Sequence, residues 1–119
     1  MTHEEILQRL KMISYYDESI KMCQENIRKK YPIDHPEIMK IWAEMIDRNE
    51  ERKARALALL DYAADDTDRE MLYMRYVQGL SPYEIADITC YCYSHSARKF
   101  SKALERLGKN LAEKPPFPF

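Results

Sequence analysis

An all-α fold is predicted by three features of this 119-residue sequence. Two glycines and six prolines, the latter at positions 32, 36, 82, 115, 116 and 118, leave little sequence for the turns of an all-β chain. β-branched residues are sparse, and good helix formers fill most positions. Apolar residues recur at spacings of three and four along two long stretches and then along shorter ones. The expected architecture is a long antiparallel helical hairpin over residues 1–64, three further helices over 65–112 and an extended tail over 113–119.

The first helix is expected from about Thr2 to Lys30. Ile6, Leu10, Ile13, Ile20 and Ile27 form a heptad-like seam, with Asp17 and Gln24 in the same register. The second is expected from Pro36 to about Ala64, with Ile38, Trp42, Met45, Ala56, Leu59 and Ala63 on one stripe that Asn49 and Arg52 interrupt. Between them, Tyr31-Pro32-Ile33-Asp34-His35-Pro36 cannot be helical throughout, because each proline biases the residue before it to extended backbone. Folding about Ile33 sets Asp17 opposite Asn49 near Arg48 and Arg52, and Gln24 beside Trp42. The polar breaks in the two seams then meet; the alternative is that Asp17 faces solvent. A heptad seam also suits a second copy, so the hairpin is read as a homodimer contact; the competing expectation is that it folds back onto the following helices.

Asp65-Asp66-Thr67-Asp68-Arg69-Glu70 marks the next start, with Thr67 and Glu70 as a capping box. That helix is expected over Thr67 to Gln78, burying Met71, Leu72 and Tyr76, and Gly79 closes it in the left-handed conformation. Ser81-Pro82-Tyr83-Glu84 then caps a helix from Pro82 to about Thr89, with Ile85, Ala86 and Ile88 inward. A turn follows at Cys90 to Tyr93. Ser94 caps the last helix, which carries Ala97, Phe100, Ala103, Leu104, Leu107 and Leu111. A stop and a start this close make the three helices a helix-turn-helix domain.

A net charge of −1 conceals a gradient. From Asp65 to Cys92 six acidic residues face Arg69 and Arg75, whereas from Tyr93 onward six basic residues face Glu105 and Glu113. Arg98, Lys102, Arg106 and Lys109 share one face of the last helix, opposite Ala97, Phe100, Leu104 and Leu107. A basic face there suits major-groove docking, in which residues at the helix start reach base edges and Arg or Lys engage phosphates. Tyr93, Ser94, His95, Arg98, Lys99, Lys102 and Arg106 are the expected double-stranded DNA contacts. A solvated amphipathic face is the plain alternative.

Other chemistry finds little support. Cys90, Cys92 and His95 lie together, but no second ligand cluster exists for a structural zinc ion, so no metal or cofactor is expected. Carboxylates sit among Lys and Arg in surface patterns, and no phosphate loop or nucleophile arrangement stands out, so no enzyme is expected. No apolar run is long enough for a bilayer, and Met1-Thr2-His3-Glu4-Glu5 is unlike a signal peptide. Three cysteines, with poor geometry for pairing Cys90 to Cys92, fit free thiols and a cytoplasmic location.

Leu72-x-x-Arg75-Tyr76-x-x-Gly79-Leu80-Ser81-x-x-Glu84-Ile85-Ala86, followed by Ala103-Leu104-Glu105-Arg106-Leu107, resembles the promoter-reading C-terminal region of sigma factors. The layout resembles still more the small phage regulators that join a helical hairpin to such a helix-turn-helix, including late-transcription regulators of the ArpU and RinA type. That resemblance implies a phage or prophage DNA-binding transcriptional regulator. Departures are local. The family's turn glycine falls at Cys90, its Ser followed by basic residues falls at Cys92-Tyr93-Ser94, and its branched apolar residue falls at Ser96. A shift of one residue would use Ala97 and Phe100 instead. Two other readings stay open: a protein-interaction module, such as a phage inhibitor of host RNA polymerase or of a host nucleoprotein, and a DNA-recognition protein like a terminase small subunit.

Overall fold

The structure, a computed structural model, describes residues 2–29 and 36–113. The expected loop between the long helices, apart from Pro36, and the expected extended tail beyond Glu113 lie outside the described residues. The described residues are all-helical and contain no strand. Five α-helices follow in order, α1 (His3–Lys29), α2 (Pro36–Ala58), α3 (Asp66–Tyr76), α4 (Pro82–Thr89) and α5 (Tyr93–Glu113), with a 3₁₀ turn (Leu59–Tyr62) after α2.

α1 begins where the Thr2 hydroxyl accepts a bond from the Glu5 N–H at 3.1 Å. Glu4 and Glu5 in its first turn and Arg28 and Lys29 in its last complement the helix dipole. Its buried face is Ile6, Leu10, Ile13, Ile20 and Cys23. Cys23 therefore replaces the expected Gln24, and Ile27 is only half-buried. A straight helix drifts against a seven-residue repeat, and an apolar thiol is cheaper to bury than an unpartnered amide.

α1 and α2 pack antiparallel, as two contacts in opposite chain order require. Lys53 Nζ donates to Asp17 at 2.8 Å, and Asn49 Nδ2 donates to Ser19 Oγ at 3.0 Å. The polar breaks do meet, but in a different register from the one expected. Asp17 pairs with Lys53 and, at 3.3 Å, Lys21; Arg48 and Arg52 are exposed, as is Gln24. The bond from Lys53 and then that from Lys21 hold the Asp17 carboxyl below its ordinary value.

α2 stops at Ala58 rather than running on to Ala64. The 3₁₀ turn winds more tightly and carries both Leu59 and Leu60 into the interior. There one core forms. Ile6, Leu10 and Ile13 of α1 join Ala56 of α2, Leu59 and Leu60, Leu72 and Tyr76 of α3, and Leu104, Leu107 and Leu111 of α5. The first half of α1 is thus packed against the later helices, the fold-back expected as the alternative to a free seam.

A Cβ built at Gly108 of α5 would lie 3.6 Å from Ile6 Cδ1, ordinary van der Waals contact. Gly108→Ala should therefore raise stability by about 1 kcal/mol through helix propensity, without a clash. A thermal melt that moves down instead would show that the α1–α5 approach needs the bare backbone.

α3 is capped by Asp65, not Thr67. Its side chain accepts from the Asp68 N–H at 2.8 Å, so the helix starts at Asp66 and the expected Thr67–Glu70 box does not form. A cap at Asp65 sets Asp66 and Asp68 in the first turn, where the dipole favours them. Met71, Leu72 and Tyr76 are buried as expected. Gly79 has φ +70, the left-handed closure that glycine accepts without strain. Arg75 Nη1 reaches the Leu80 carbonyl at 3.2 Å and ties the joint to α4.

The Ser81 box is complete: Ser81 Oγ accepts from the Glu84 N–H, and Glu84 accepts from the Ser81 N–H, both at 3.2 Å, with Pro82 following. Ile85 and Ala86 face inward, but Ile88 is 60% exposed, a correction to the expected inner stripe. Eight residues make barely two turns, so the inner face of α4 holds only Ile85 and Ala86.

Candidate nucleic-acid interface

The turn into α5 centres on Cys90, which has φ 60 and ψ 24 and is the only non-glycine residue with positive φ among the described residues. Its N–H returns to the carbonyls of Ala86 and Asp87, and the Tyr91 N–H bonds to the Ala86 carbonyl at 3.1 Å. Left-handed backbone costs an L-residue about 1–2 kcal/mol, less glycine's greater unfolded-state entropy. Cys90→Gly should stabilise the chain by about 0.5–1 kcal/mol, read as a rise of a few degrees in the melting midpoint.

α5 starts at Tyr93, one residue before the expected cap, so Ser94 stands inside the first turn. Cys92 takes the capping role. The Ser94 hydroxyl first, then the His95 N–H, hydrogen-bond the exposed Cys92 thiol, and with the Arg98 charge they hold its pKa below the ordinary value. Cys90 and Cys92 are exposed free thiols, and Cys23 is a buried one. Ser96, where the family pattern has a branched apolar residue, is buried at 3%, whereas Ala97 and Phe100 are half-buried.

The seven expected contacts do not form a uniform surface. Arg98 and Lys102 are exposed, and among the described residues no carboxylate pairs with either. Ser94 and Tyr93 are exposed at the helix start. Tyr93 stacks on Tyr83 of α4, with ring centroids 4.5 Å apart and planes 21° apart. His95 and Lys99 are half-buried around Tyr91: the imidazole meets that ring edge-on at 4.7 Å, and Lys99 Nζ lies 3.2 Å from its hydroxyl and 4.7 Å from its centroid.

Arg106 is committed elsewhere. Its Nη1 lies 3.3 Å from both carboxylate oxygens of Asp68, whose side chain is only 8% exposed. A buried carboxylate needs such a partner.

Arg98, Lys99, Lys102 and Arg106 form one wall of a groove of about 380 Å³, and Asp65, Thr67 and Asp68 at the start of α3 form the other. Acid on the far wall screens the stripe on that side. The exposed Arg98 and Lys102 thus share this groove with the carboxylates of Asp65 and Asp68.

Two features of this surface escape a reading of α5 alone. Tyr83, 68% exposed, is the third residue of the Ser81 box, and its outward direction is implied by the inward Ile85 and Ala86. The acids opposite the stripe come from a helix 30 or so residues earlier in the chain, and no local signal points to them. Among the described residues no three His, Cys, Asp or Glu side chains are placed to hold a metal ion. No described helix is long and apolar enough to cross a membrane. Comparison of the chain with protein-family models, curated proteins and solved structures gives no significant match.

Proposed function

We propose that this chain is a sequence-specific, DNA-binding transcriptional regulator of the phage type, which reads double-stranded DNA through a sigma-like helix-turn-helix made of α4, the Cys90 turn and α5. One observation supports the reading: on the helix that follows the left-handed Cys90 turn, Arg98 and Lys102 are exposed and, among the described residues, paired with no carboxylate. Tyr93, Ser94 and His95 at the helix start are the base-edge candidates, and Lys99 joins the phosphate contacts by swinging off Tyr91. Arg106 contributes through Asp68 to the rigidity of α5 on α3 rather than to the groove. Large apolar side chains exposed along the long pair, Tyr15, Met22 and Ile41, support a homodimer and hence a two-fold operator. Mobility shifts over a salt series test the reading. Specific binding should weaken steeply as salt rises, because each phosphate contact releases counterions. Absence of salt-sensitive binding to any duplex would end it.

A second reading, a protein-interaction module directed at a host protein such as RNA polymerase, is favoured by Tyr73 and Ile88. Both are exposed on a groove of about 700 Å³ that Met71 and Met74 also line. Co-purification of a host protein that survives nuclease treatment selects it.

A further inference from the structure

A second cationic feature lies on the long helices and uses no residue of α5. Arg9 and Tyr16 of α1 and Arg52 and Arg55 of α2 surround a depression of about 230 Å³ whose walls include the buried Ala56. The spacing explains the convergence. Arg9 and Tyr16 are two turns apart on one face of α1, Arg52 and Arg55 are one turn apart on α2, and Ala56 is too small to fill the space between. Arg9 and Tyr16 are half-buried, whereas Arg52 and Arg55 are exposed. Glu51 pairs with Arg55, and among the described residues no carboxylate pairs with Arg52.

Three guanidiniums line this small concavity and Glu51 offsets the charge of one, so an oxyanion between them meets the positive charge that remains. Guanidinium groups are planar, always charged and matched to two oxygens at once, which favours phosphate over a halide. The Tyr16 hydroxyl adds a neutral donor. The volume has room for one phosphate or a pyrophosphate, and is smaller than the usual pocket for a drug-sized ligand. We infer that this depression is a phosphate-binding site, held by Arg9, Arg52 and Arg55 with Tyr16. The phosphate comes either from a free polyphosphate or from a nucleic-acid backbone.

The test uses the full chain and follows arginine Nε–Hε resonances during titration with inorganic pyrophosphate, with sodium chloride of equal ionic strength as reference. Saturable shifts at Arg9, Arg52 and Arg55 are expected in the wild type. Arg52→Gln, an exposed substitution, should weaken binding about tenfold or more, and Tyr16→Phe should weaken it less. Arg98→Ala/Lys102→Ala should leave the pyrophosphate response unchanged, which separates this site from the proposed DNA-reading face. The same double variant is also titrated with a short duplex. Shifts with duplex and not with pyrophosphate assign the phosphate to a nucleic-acid backbone; shifts with pyrophosphate assign a free polyphosphate. No saturable shift with either probe, or equal responses in the wild type and Arg52→Gln, overturns the site.

Discussion

Leu10→Ala is expected to lower the unfolding free energy by roughly 3–4 kcal/mol, because it opens a cavity where no solvent reaches. Leu10 is fully buried, in the same core as Leu72 of α3 and Leu107 of α5. The loss should therefore not stay in the long helices. Circular dichroism should follow one transition, displaced as a whole. Two separate transitions, with only the first displaced, would mean that α1 and α2 unfold independently of α3 to α5. Lys11→Ala on the same helix is the control. With Lys11 exposed, the change should stay within about 0.5 kcal/mol.

Arg98→Ala/Lys102→Ala carries the largest expected effect on function. If each side chain engages one phosphate, the slope of log affinity against log salt falls by about 2, and affinity at moderate salt falls about 100-fold. Selection of bound duplexes from a random pool reads both class and surface, since enrichment should disappear in the double variant. Its melting midpoint should stay close to wild type, because both residues are exposed. Arg106→Ala should behave in the opposite way. It strips the buried Asp68 carboxylate of its partner, so thermal stability falls first and any loss of binding follows from that. Enrichment that persists in the double variant would remove the outer face of α5 from the DNA reading.

The pattern of legible and illegible features has a physical cause. α4 was readable to the residue, because Ser81, Pro82 and Glu84 encode its start within four positions and the Gly79 backbone stops the helix before it. The turn expected at Cys90 to Tyr93 is present, and its left-handed residue is Cys90. The cap of α3 was misread because Asp65 and Thr67 are both competent caps two positions apart, and local sequence does not rank them. Ile88 was misplaced because periodicity marks which side chains share a face, not whether anything covers that face.

What the sequence by itself determined is the set of helices, the Ser81 cap of α4 and the sign of charge along α5, since each depends on neighbours within about one turn. Tertiary structure alone decided three things. α1 packs onto α3 and α5, Asp17 selects Lys53, and Arg106 is drawn to Asp68 while Arg98 and Lys102 are left exposed and without a carboxylate partner among the described residues. Such choices depend on which distant surfaces meet. One residue of register in α2, or one extra turn before α3, exchanges the partners without altering any local signal.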